Sequence, residues 1–191
     1  MPDNSFPFRI LIVENDASLS ETGKVLLESQ GYEVLLAEDG FEALIALKRS
    51  LPDIIISDLC MPNMSGFELL SVVRRRFPTI PVIVISGQFS ELRLPESVLA
   101  DAFFAKGQCE PEALFSKIVA LLWELPPRPR TGRSDKAAVW VKNDKGFIAV
   151  TCTDCLRTFP VLDTTTGVNT VLCEFCSCVI RFEIIGRGQA T

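Results

Sequence analysis

The chain has 191 residues, 48% of them apolar, a net charge of −5 and no histidine. That size and apolar share suit one ordinary domain with a small one beside it. The absence of histidine excludes histidine phosphotransfer on this chain, every His-containing zinc site and the commonest general base.

No apolar run approaches the eighteen or so residues of a membrane span. The start, "MPDNSFPF", has neither the basic nor the apolar region of a secretory signal. A cytoplasmic protein with no membrane partner is expected. Charge is uneven along the chain: residues 1–125 carry ten Lys/Arg against eighteen Asp/Glu, and residues 126–191 carry nine against six. An acidic front and a mildly basic tail suggest two units with different partners.

In chain order, "FRILIV" (Phe8–Val13) is an apolar run of strand length, buried on both faces. "SLSETGKVLLESQ" follows as a helix closed by Gly31. "YEVLLA" is a strand, and "GFEALIALKRS" is a helix that ends before Pro52. "DIIIS" is a strand, "GFELLSVVRRR" a helix stopped by Pro78, "IPVIVIS" a strand and "ADAFFA" a fifth strand. "PEALFSKIVALLWEL" closes the series as a helix with Pro111 in its first turn; Leu114, Ile118, Leu121 and Leu122 share one face. Alternating apolar strands and helices predict a five-stranded parallel α/β sheet, doubly wound. Next, "PPRPRTGRSD" reads as a Pro/Arg linker. "AVWVKNDKGFIAV" then reads as a hairpin turning at Asn143–Gly146.

In such a sheet ligands gather at the carboxyl ends of the strands. There the sequence sets Glu14-Asn15-Asp16, Asp58, Ser86-Gly87 and Lys106. Two carboxylates about 4 Å apart repel by about 4 kcal/mol at an effective dielectric near 20, so such a cluster needs a cation. Magnesium suits hard oxygen ligands, Lys106 supplies a fixed second cation, and the Ser86 hydroxyl supplies a donor for an incoming oxyanion. The set suits phosphoryl transfer onto a carboxylate.

These residues, with the run "DLCMPNMSGFELL", resemble the receiver domain of two-component response regulators over residues 7–125. The resemblance implies a flavodoxin-like fold, with Asp58 as phosphoacceptor and Lys106 and Ser86 as its catalytic companions. It further implies Ser86 and Phe103 as switch residues. The implied magnesium ligands are Glu14, Asn15, Asp58 and the backbone carbonyl of Cys60. A histidine kinase or phosphotransfer protein is the implied partner. The sequence departs from the family at Asn15, usually a second acid, at Gly107, usually proline in a cis bond, and before Pro95, where the fourth helix starts late. Weak magnesium binding follows from Asn15.

The tail holds "CTDC" at 152–155 and "CEFC" at 173–176. Two Cys-x-x-Cys pairs at this separation point to four thiolates on one tetrahedral ion, Cys152, Cys155, Cys173 and Cys176, with zinc first and iron the rival. Cys178 is set aside, since it lies two residues past the second pair. The tail resembles a zinc ribbon over residues 137–186, a small all-β unit beyond a linker at 126–136.

The expectation is a response regulator, not a turnover enzyme. It passes its state to a DNA or protein target through residues 126–186. Its rival is a pseudo-receiver that works without phosphorylation, as an interaction or nucleic-acid-binding module.

Overall fold

The buried run Ile54–Ser57 forms strand β3, the middle of a five-stranded parallel sheet. The structure is a computed structural model, and it describes residues 8–87, 100–123, 139–140, 143–144, 147–162, 165 and 167–184. The sheet's other strands are β1 (Arg9–Val13), β2 (Glu33–Ala37), β4 (Val82–Ser86) and β5 (Ala102–Ala105). Their order is β2-β1-β3-β4-β5, with every pair parallel. This is the doubly wound arrangement whose strand order reverses beside β1 and β3.

Alternation within the strands splits the core in two. Leu11, Val13, Ile55, Val82 and Val84 face helices α2 (Gly40–Arg49) and α3 (Gly66–Arg76). Ile10, Ile12, Ile54, Ile56 and Ile83 face α1 (Ala17–Glu28) and α4 (Pro111–Trp123). On α4, Leu114, Ile118 and Leu121 are buried and Leu122 is half-buried, the single face that its spacing predicts. Gly31 follows α1 with φ +86°, a conformation that favours glycine.

Helix α3 starts where chemistry dictates. Ser65 and Glu68 form a reciprocal capping box, which satisfies two otherwise orphaned donors. Gly66 has a second reason to be glycine: a Cβ there would lie 2.0 Å from the carbonyl oxygen of Asp58. At its far end α3 is held by Arg74, which donates to the carbonyl of Ile80 (3.0 Å) and to Asp101 Oδ2 (2.6 Å). Asp101 Oδ2 also accepts from the Val82 amide at 2.8 Å, so one carboxylate ties α3, β4 and the approach to β5 together.

The C-terminal strands are β6 (Val139–Trp140), β7 (Asn143–Asp144), β8 (Phe147–Thr151), β9 (Thr158–Val161), β10 (Gly167–Leu172) and β11 (Val179–Ile184). They form two three-stranded sheets, β10-β11-β6 and β7-β8-β9. Ile148, Val150, Phe159, Ile180, Phe182 and Ile184 are buried between them with Cys152 and Cys173.

One expectation is corrected here. The hairpin does not pair Val139–Trp140 with β8. Its first arm is Asn143–Asp144, opposite Ile148 and Phe147, while Val139–Trp140 runs parallel to Phe182–Glu183. Residues read as a turn are strand, and the apolar pair before them belongs to the other sheet. The late fourth helix and the Pro/Arg linker fall outside the described residues. Among the described residues no helix is long and apolar enough to cross a membrane.

Candidate phosphoacceptor and cysteine sites

Asp58 follows β3 directly, and the parallel ladder carries it to the sheet's carboxyl edge. Its amide donates to the carbonyl of Val13, which fixes its height beside β1. Its side chain is only 6% exposed. Oδ1 accepts from the amides of Leu59 (2.6 Å) and Cys60 (3.3 Å), and Oδ2 accepts from Lys106 Nζ at 2.8 Å. The same Nζ lies 2.7 Å from Glu14 Oε2. Lys106 therefore bridges two carboxylates from neighbouring strand ends. Burial works against its ammonium, but hydrogen bonds to Asp58 and Glu14 outweigh burial and raise its pKa above the ordinary lysine value. A cleft of about 270 Å³ opens beside this trio, with Ile12, Leu27 and Leu114 on its apolar wall.

The other expected site residues divide. Ser86, at the end of β4, is fully buried, and its Oγ finds no partner among the described residues. An unsatisfied buried hydroxyl costs about 1–3 kcal/mol, so it is suited to donate to a group that arrives. Phe103, paired with Val84 across the β4–β5 ladder, is half-buried against the core on the α2–α3 side. Cys60 directs its amide at Asp58 Oδ1 and is half-buried. Asn15 is exposed. Asp16, grouped with the acids by sequence, instead caps α1: its Oδ1 accepts from the amides of Ser18 (2.9 Å) and Leu19 (3.1 Å). The Lys106–Gly107 peptide is trans, like every peptide among the described residues, and Gly107 has φ +81°.

Sequence reasoning missed one tie. Asn63, in the loop after Asp58, donates to Asp39 Oδ2 at 2.7 Å, and Gly40 donates its amide to Met64 at 3.0 Å. Asp39 also caps α2. The available signal was Asn63 itself: its φ is +56°, and asparagine tolerates the left-handed region better than most residues.

The response regulator receiver domain family matches residues 10–116, more than half of the chain. The chain belongs to that family. A relative in Bacillus subtilis, the uncharacterized transcriptional regulatory protein YrkP, is 35% identical over 117 residues, 60% of this chain and 49% of the relative. Response regulator MprA of Mycolicibacterium vanbaalenii is 32% identical over 130 residues, 67% of this chain and 56% of the relative. Transcriptional regulatory protein GlrR of Escherichia coli is 36% identical over 94 residues, 49% of this chain and 20% of the relative. The chain thus spans between a fifth and just over half of these relatives' lengths. Among solved structures, the chemotaxis response regulator CheY4 of Vibrio cholerae superposes with a TM-score of 0.57 at 30% identity. The match covers 61% of this chain and all of that one. A CheY-like receiver from Methanospirillum hungatei gives 0.58 at 30%, covering 62% and 96%.

Beyond the receiver, five thiols converge. Cys152 Sγ lies 3.6 Å from Cys176 Sγ and 3.2 Å from Cys178 Sγ, and Cys155 Sγ lies 3.7 Å from Cys173 Sγ. A tetrahedral ion with bonds of about 2.3 Å spaces its sulfurs by roughly 3.8 Å, which the 3.6 and 3.7 Å separations match and the 3.2 Å Cys152–Cys178 separation falls short of. The two turns are built alike. Leu156 donates its amide to Cys152 as Ser177 does to Cys173, and Cys152 donates to Arg157 as Cys173 does to Cys178. By that correspondence Cys155 matches Cys176, and Cys178 matches Arg157. The sequence set Cys178 aside, yet its sulfur enters the cluster, and the four sulfurs that lie within 4.8 Å of one another are those of Cys152, Cys173, Cys176 and Cys178. Burial pushes the Cys152 and Cys155 thiols up to about 12 and Cys178 to about 11. The Cys178 amide pulls Cys176 down to about 7.

Proposed function

We propose that the chain is a two-component response regulator. Its receiver, residues 7–125, takes a phosphoryl group on Asp58 from a histidine kinase or phosphotransfer protein. A zinc-ribbon-like module, residues 137–186, passes the state to a DNA or protein target through residues 126–186. The observation that carries this reading is Lys106 bridging Asp58 and Glu14 at 2.8 and 2.7 Å.

The chemistry follows from that trio. A carboxylate oxygen of Asp58 attacks phosphorus, the bond from phosphorus to the donor's nitrogen breaks, and an acyl phosphate forms. Lys106 then has a phosphoryl oxygen to pair with as well as a carboxylate. The orphaned Ser86 hydroxyl is the further donor for a phosphoryl oxygen, and Phe103 in the neighbouring strand is the side chain placed to follow it. Glu14, Asp58 and the Cys60 carbonyl form the hard oxygen set that would hold magnesium, with Asn15 as a neutral fourth. Bound there, magnesium supplies the charge that offsets the incoming phosphate. The chain serves its own phosphorylation and turns over no separate substrate.

In the tail, Cys152, Cys155, Cys173 and Cys176 are the proposed zinc ligands, with Cys178 in reserve. The like-built turns support the first four, and the sulfur spacing supports the ion.

Magnesium-dependent labelling by a small acyl phosphate tests the receiver assignment. Acid-labile label on wild type and none on Asp58→Asn is the expected result. Wild type that takes no label from the donor or from kinases would favour the phosphorylation-independent reading, to which the exposed, uncharged Asn15 lends some weight.

A further inference from the structure

The two cysteine turns match in backbone and differ in one side chain. Each has its post-knuckle residue at positive φ, +57° at Leu156 and +58° at Ser177. That conformation is disfavoured for any residue with a Cβ, and glycine would hold it without strain. Ser177 is exposed. Leu156 is half-buried and packs against the receiver's own core cluster, the one that includes Leu44, Leu47 and Val73 of α2 and α3. A bulky apolar side chain is thus kept in a strained position at the one turn that meets the receiver.

Two polar ties stand beside it. Lys48, in the last turn of α2, donates from Nζ to the carbonyl of Leu156 at 3.3 Å. Arg75, in the last turn of α3, donates to the carbonyl of Arg181 on β11 at 3.3 Å. Strand β6 lies against α3 as well. On the receiver side the contacts come from two helices, and on the tail side from one cysteine turn and one sheet. Among the described residues these two ties accept at backbone carbonyls, and Leu156 is the apolar side chain of the turn that packs on the receiver's core.

We propose that the Cys152–Leu156 turn is an intramolecular docking element, with Leu156 as its anchor and the α2–α3 flank of the receiver as its seat. The tail is then held on the receiver as one body with it. The α2–α3 flank is closed to other partners, and the kinase and the output target work on the remaining faces. This interface does not depend on which metal the thiols hold, so its failure and the failure of the zinc assignment are separable.

Amide relaxation on the full chain tests it. Wild type is expected to tumble with one correlation time across β1–β5 and β8–β11. Leu156→Gly removes the anchor and keeps the backbone conformation. It is expected to give two correlation times and roughly tenfold faster hydrogen exchange at the Ser50 amide, which caps α2. Ser177→Gly, at the matching place in the other turn, is expected to change neither. Should Leu156→Gly lose the tail's amide dispersion, Lys48→Met with Arg75→Met tests the same seat from the receiver side. Two correlation times in wild type would overturn the proposal. So would one-body tumbling in Leu156→Gly, or release by Ser177→Gly to the same degree.

Discussion

Lys106 Nζ rests 2.8 Å from Asp58 Oδ2, on a carboxylate whose other oxygen is already engaged by two backbone amides. The proposed acceptor is thus held by fixed donors in the unphosphorylated chain. That arrangement orients it and also occupies it.

Replacing the bridge separates those roles. Lys106→Met is expected to slow labelling of Asp58 severely and to tighten magnesium, since a cation that shares Glu14 and Asp58 with the metal is gone. A gain of about tenfold in affinity corresponds to about 1.4 kcal/mol. Calorimetric titration beside a labelling time course reads both. Magnesium affinity equal to wild type would mean that lysine and metal do not share the carboxylates.

Asn15→Asp adds a charge where the site has an exposed amide next to Glu14. Magnesium should bind about tenfold more tightly, by the same conversion. Fluorescence or calorimetric titration measures it. Unchanged affinity would show that position 15 does not face the ion.

The Arg74–Asp101 pair predicts a stability effect far from the acceptor. Both side chains are 4% exposed, and the carboxylate also holds the Val82 amide. Arg74→Met leaves a buried charge short of its partner, a loss of about 3–5 kcal/mol. Thermal unfolding should fall by at least about 6 °C, given roughly 2–8 °C per kcal/mol across this size range. Adding Asp101→Leu should cost less than the sum of the two single changes. Strict additivity would mean that the pair does not act as a unit.

How much of this was legible beforehand depends on how local each cause is. The bounds of α3 came out as read because Ser65, Glu68 and Gly66 lie within four residues of one another. The strand ends that deliver Glu14, Asp58, Ser86 and Lys106 were legible because apolar runs stop there. Asp16 was not separable from the acid cluster: an N-cap and a ligand are both a carboxylate after a strand. Arg74 reads as one of three arginines at a helix end, and only Asp101, 27 residues on, makes it internal. Val139–Trp140 has the pattern of a strand, but pattern does not choose a partner, and the partner is β11. Cys178 failed the spacing rule and still points its sulfur inward, because it precedes β11 and belongs to the second turn, where its carbonyl accepts from the Cys173 amide.

That fifth sulfur shapes the prediction for the tail. Purified chain should carry about one zinc. Cys152→Ser, Cys173→Ser and Cys176→Ser should each lose it, and Cys178→Ser should not. Cys155→Ser should keep a substantial share, with Cys178 taking the vacated place, and the double change at 155 and 178 should lose it. Elemental analysis of wild type and the six variants decides. Zinc lost from Cys178→Ser alone would sink the assignment of Cys155.

Helix α2 has a joint at each end. At its start, Asp39 grips Asn63 and Gly40 grips Met64, both in the loop that follows Asp58. At its finish, Lys48 grips the carbonyl of Leu156. Ten residues make it a strut of about 15 Å, stiff over that length. On the proposed docking, a displacement of the loop after Asp58 would reach the cysteine turn through this strut, by a route separate from the chain that joins the two units. Lengthening residues 126–136 is then expected to leave that route intact.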